Sequence, residues 1–129
     1  MINKLFTFSI ILVVAAFGMF TCNTPLENQA RDTAAAAQGF ITAAQTAHGA
    51  ECKADPTKAV CVDINRAVDA QNILIDAAET YCGWQTRPTP AQLAAATASC
   101  QRISSASSGL QVATGNLQNI LADIKAVSQ

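Results

Sequence analysis

Four cysteines, Cys52, Cys61, Cys82 and Cys100, are spread through a stretch whose apolar residues recur at helical spacing. A helix advances about 1.5 Å per residue, while a disulfide needs its two Cα atoms within ~7 Å. Few ways of folding helices back on themselves satisfy both conditions, so these positions restrict the fold more than any other feature.

The helices follow from the spacing. Thr24-Pro25-Leu26-Glu27 reads as a capped start, with Thr24 as cap, Pro25 in the first turn and Glu27 closing a capping box. Leu26, Ala30, Thr33, Ala37, Phe40, Ala44 and Ala47 then form an apolar stripe, and His48-Gly49 is a stop, which predicts a first helix over about 25–48. Asp55-Pro56 opens a second helix over 56–82 whose main stripe is Val60, Ile64, Ala67, Val68, Leu74, Ile75, Ala78 and Tyr81. Val62 and Ile73 lie off that stripe, which predicts a central helix touching a neighbour on each side.

Thr89-Pro90-Ala91-Gln92 is a third capping-box start. Leu93, Ala96, Cys100, Ile103, Ser107, Leu110, Thr114, Leu117, Leu121 and Ile124 keep three-four spacing over 90–127. The stripe stays in phase across the serine-rich stretch from Ser104 to Gly109, which predicts one long third helix. A break near Ser107–Gly109, giving four helices, is the alternative, because serine and glycine are poor helix formers. The expected fold is thus all-α: a single-domain, disulfide-stapled, up-down-up three-helix bundle over residues 22–129.

Pairing follows by elimination. Cys61 and Cys82 stand about 31 Å apart along a continuous second helix, which removes a bridge between them. Cys52 belongs to the end where that helix begins and Cys82 to the opposite end, which removes Cys52–Cys82. Cys52–Cys61 and Cys82–Cys100 are left. The second bridge then requires the third helix to start beyond the end of the second and overhang it.

The fifth cysteine, Cys22, closes a different segment. Lys4 precedes an apolar run from Leu5 to Phe20 that spans roughly 24 Å as a helix, short of the ~30 Å hydrocarbon core. Polar Asn23 and Thr24 follow without a basic stop-transfer cluster, so residues 1–21 read as a secretory signal peptide. Small residues at Ala16 and Gly18 suit ordinary cleavage after Gly18. Met19-Phe20-Thr21-Cys22 resembles a bacterial lipobox, which implies lipidation of Cys22, although Phe20 and Thr21 are bulkier than residues usual there. Four of five cysteines form an even set suited to an oxidising, exported setting, and lipid on Cys22 accounts for the odd one. The expected location is the bacterial cell envelope, anchored by lipid at Cys22, with a soluble periplasmic or secreted form as the alternative.

Charge narrows the function. A net charge of -1 with 13% charged residues lacks the clustered Lys and Arg that nucleic acid requires. His48, Glu51, Cys52 and Asp55 have metal-ligand chemistry, but Cys52 serves better in a disulfide and His48 suits a helix C-terminus. Asp63, Asp69, Asp76 and Glu79 fall mainly on a solvated helix face. No nucleophile elbow, phosphate loop or dinucleotide fingerprint occurs. No enzyme, metal or cofactor is expected.

Tyr81, Trp84 and Arg87 cluster at the turn between the second and third helices and form the candidate partner contact, since aromatics and Arg are enriched in binding hot spots. The expected role is a non-enzymatic binding or scaffold module. An open seam on the third helix would serve an unidentified protein partner or self-association. An inhibitor or immunity-type lipoprotein and a membrane-active helical protein are the alternatives.

Overall fold

Apolar and small residues three and four apart wind the chain into four α-helices, and no strand occurs among the described residues. The computed structural model describes residues 25–95 and 99–127. The expected signal peptide over 1–21, Cys22 and the Thr24 cap lie outside the described residues. Helix α1 is Leu26–Ala54, α2 is Ala59–Cys82, α3 is Pro90–Ala95 and α4 is Ser107–Val127, the last preceded by a 3-10 turn at Ser104–Ala106. Helices α1, α2 and α4 each pack on the other two, and α3 lies against α1 and α2.

Small side chains set how closely these helices approach. Ala30, Ala34 and Ala37 of α1 and Ala67 of α2 are fully buried, beside Leu74 and Ile75 of α2, Leu110 and Leu117 of α4, and Leu93 of α3. Buried polar groups are satisfied across the helix contacts, as a low-dielectric interior demands. The Gln71 amide donates to the Ala34 carbonyl and to Gln38 Oε1, both at 3.3 Å. Gln118 Nε2 donates to Thr33 Oγ1 at 3.1 Å, tying α4 to α1.

Cys52–Cys61 and Cys82–Cys100 are disulfides, with Cα separations of 5.5 and 4.2 Å. These are the pairs left by elimination, but the overhanging third helix drawn from the second pair is not found among the described residues. Cys100 is not on a helix: Ser99–Ile103 is non-helical, and helical structure resumes at Ser104. The described residues therefore form four helices instead of three, and no overhanging third helix brings Cys100 to Cys82. The interruption also falls ahead of Ser107–Gly109, which lies inside α4.

Hydrogen bonding explains why the third segment breaks despite its unbroken stripe. The last carbonyls of a helix lack intrahelical partners. Gln101 N–H donates to the Cys82 carbonyl at 3.1 Å and Ile103 N–H to the Tyr81 carbonyl at 2.8 Å. Arg102, between them, adopts φ 56°, a left-handed conformation that a helix cannot pass through. Its guanidinium compensates by binding Glu27 Oε1 through Nε at 2.7 Å and through an Nη at 2.5 Å. Glu27 is thereby buried against the loop. Gly83 is required at the end of α2: its φ is 71°, and a Cβ there would meet the Gln101 side chain at 2.7 Å.

Two other boundaries differ from the sequence expectation. Helix α1 continues through His48-Gly49 to Ala54, and α2 starts at Ala59 instead of 56. A glycine inside a helix costs about 1 kcal/mol against alanine. Here the added turns are held by the Cys52–Cys61 bridge and by Glu51, which pairs with His48 at 3.1 Å and Lys58 at 2.9 Å. Asp55 shapes the connecting turn by accepting from the Thr57 hydroxyl and backbone N–H. The capping box at Thr89 forms in full: Thr89 N–H donates to Gln92 Oε1 at 2.9 Å and Gln92 N–H to Thr89 Oγ1 at 3.1 Å.

Candidate functional site

Helix α2 carries apolar residues on two sides, yet both of its long neighbours pack on one. Buried Ile64, Ala67, Leu74, Ile75 and Ala78 form a single broad stripe that meets α1 and α4 together. Val62 and Ile73, whose spacing predicted a neighbour on the second side, are exposed instead. Ile73 is 60% exposed, and Val62 also faces solvent. On α4, Val112 is likewise 61% exposed. Isolated exposed apolar side chains are ordinary, but Ile73 lines a groove.

That groove runs between α2 and α4. Ala70 and Ile73 form one wall, Ala113, Asn116 and Ile120 the other, and Arg66, Asp69, Asn119 and Asp123 complete it. Val112 sits one turn before Asn116 on the same outer side of α4. Arg66 is weakly held by Asp63 at 3.7 Å. The surface is apolar at the end bearing Ile73 and Ala113 and mixed in charge at the end bearing Arg66 and Asp123, a composition suited to a protein surface.

The residues picked out as a partner contact are placed otherwise. Tyr81 is 7% exposed and belongs to the core. Trp84 is half-buried against that core, and its indole N–H donates to the Ser99 carbonyl at 3.1 Å. Arg87 folds back along α2, donating to the Asn72 carbonyl at 3.2 Å and pairing with Asp76. The three share one end of the bundle but present no common face.

The carboxylates also separate. Asp63, Asp69 and Asp76 spread over some four turns of α2, two of them occupied by Arg66 and Arg87. At the opposite end of α2, His48, Glu51 and Lys58 form an exposed ion-pair chain, while Cys52 is consumed by its disulfide. The Lys58 hydrogen bond, then the His48 one, holds the Glu51 carboxyl below its usual range. Hydrogen bonds from Thr57 do the same for Asp55. Among the described residues no group of three or more His, Cys, Asp or Glu side chains is placed to hold a metal ion, and no helix is long and apolar enough to cross a membrane.

Comparison of the chain with protein-family models, curated proteins and solved structures finds no match. The groove is therefore read from its own chemistry. Its α2 half was visible in the sequence as residues off the main stripe. Its α4 half was not, although Val112, an apolar residue off the Leu110–Thr114–Leu117 stripe, carried the same signal.

Proposed function

We propose that this chain is a small exported protein of the bacterial cell envelope, tethered by lipid at Cys22, that acts as a non-enzymatic binding or scaffold module. The observation that carries the reading is the cysteine arrangement. Two intramolecular disulfides use four of the five cysteines, which suits an oxidising compartment and leaves Cys22 without a thiol of this chain to pair with. Cys22 ends the lipobox-like segment, so acylation accounts for it. The binding role rests on the α2/α4 groove with its exposed Ile73, and on exposed Val112 one turn from it on α4, which replace the Tyr81–Trp84–Arg87 cluster as the favoured protein contact.

Intact mass tests the tether on protein expressed with its native N-terminus in a bacterial host, measured before and after reduction. The expected product begins at Cys22, carries acyl groups and gains the mass of four protons on reduction. A lipid-free product beginning at Met19 overturns the tether.

A further inference from the structure

We infer that the loop end of the bundle, bearing Trp84, Ile103 and Arg102, rests on the lipid headgroups and that the Cys52–Cys61 hairpin points away from the membrane. The inference rests on the proposed lipidation of Cys22 and adds an orientation to it. Three peptide steps separate Cys22 from Pro25, the residue before α1, and even fully extended they reach only ~11 Å. An acylated Cys22 is held at the membrane surface, so the start of α1 is held close to it as well.

The structure shows what else lies at that end. Glu27, in the first turn of α1, is bonded to Arg102, and Ile103 is bonded to the end of α2 through Tyr81. The surface beside α1's start is thus the loop that follows α2. It offers Ile103, 37% exposed, and the half-buried Trp84, the side-chain types that settle at a bilayer interface. From Gly83 to Ser107 the chain carries two charged residues, Arg87 and Arg102, which pair with Asp76 and Glu27, while Glu79 stands in the last turn of α2. The nearest buried acid, Glu27, is neutralised by Arg102.

The sides of the bundle are less suited to such a surface. Asp63, Asp69, Asp76 and Asp123 stud the α2 and α4 flank, and anionic headgroups repel them. End-on docking keeps these acids in water. It also lifts the hairpin about 40 Å out, since α1 has 29 residues at 1.5 Å each. The α2/α4 groove then opens sideways above the membrane, accessible to a neighbouring envelope protein.

Trp84 is the chain's one tryptophan, so it reports on this end directly. The lipidated protein, its acylation verified by mass, is reconstituted into phosphatidylethanolamine–phosphatidylglycerol vesicles with acyl chains brominated near the headgroup. Trp84 emission is expected to shift to the blue and fall by about half, as for an interfacial indole. Trp84→Phe combined with Ala50→Trp moves the reporter to the exposed outer part of α1, where emission is expected to stay within about a tenth of its bromine-free value. Unquenched Trp84 in acylated protein overturns end-on docking and leaves the tether standing. Equal quenching at both positions also overturns it, because the bundle then lies on its side. A mass without acyl groups overturns the tether itself, and the orientation with it.

Discussion

At the hairpin end, Cys52 and Cys61 close a separation of 9 residues, and α1 beyond Ile41 buries no side chain completely. At the loop end, Cys82 and Cys100 close a separation of 18 residues around buried Tyr81, Cys82 and Leu93, with two interloop backbone hydrogen bonds and the Arg102–Glu27 pair. The same covalent bond therefore does different work. One bridge stands in for a core that is missing; the other locks a junction already packed. An alanine-rich α1 makes this division necessary, since each methyl buried contributes only about 0.8 kcal/mol.

The comparison breaks most visibly if the loop bridge is removed. Cys82→Ala with Cys100→Ala is expected to cost about 3 kcal/mol in the chain-entropy model, read as a lowered Tm and denaturant midpoint of the whole domain. The effect is global because the released loop carries the bonds that cap α2 and bury Glu27. A change confined to the loop, with the midpoint untouched, would show that packing alone holds this end.

Cys52→Ala with Cys61→Ala has a smaller expected effect on the global midpoint, below the ~2.7 kcal/mol of the same model. Its signature is local: amide exchange should accelerate across the end of α1 and the start of α2, with protease cleavage near Asp55, while amides around Leu74 and Leu117 keep their protection. Global unfolding in step with the first pair would mean the two ends are one cooperative unit.

The smallest effect is electrostatic and confined to the hairpin. Glu51 and Asp55 have carboxyl pKa values lowered by their hydrogen bonds, so each favours the folded hairpin above its ordinary value and loses that contribution as pH falls through the lowered one. Amide protection factors of the hairpin, taken relative to intrinsic exchange at each pH, should fall as the pH drops below the usual carboxylate range, with those of the loop end unchanged there. Equal acid sensitivity at both ends would remove the distinction.

Helical character was legible throughout, because three-four spacing and the capping box at Thr89 act within a turn or two. The bridges were legible too, since axial rise excludes the other pairings whatever the detail of packing. The third segment misled for the same reason that it looked convincing. A stripe in phase records which residues face inward, and Leu93, Leu110 and Leu117 do, but it carries no information about the chain between them. The groove was hidden in a similar way: residues off a stripe are apolar whether a neighbour covers them or water does.

Local order and covalent reach belong to the sequence: helices, caps, the two cysteine pairs and the short spacer after Cys22 all depend on residues close in the chain or on fixed distances along a helix. Tertiary structure alone decided that Ser99–Ile103 is non-helical, that Arg102 turns left-handed to reach Glu27, that Gln101 and Ile103 cap α2, and that Ile73 and Val112 face solvent. Each of these depends on which distant atoms meet, 75 residues apart in the case of Arg102 and Glu27. A free carbonyl at a helix end or an unpaired buried carboxylate is costly, and satisfying both outweighed the continuity of a helix.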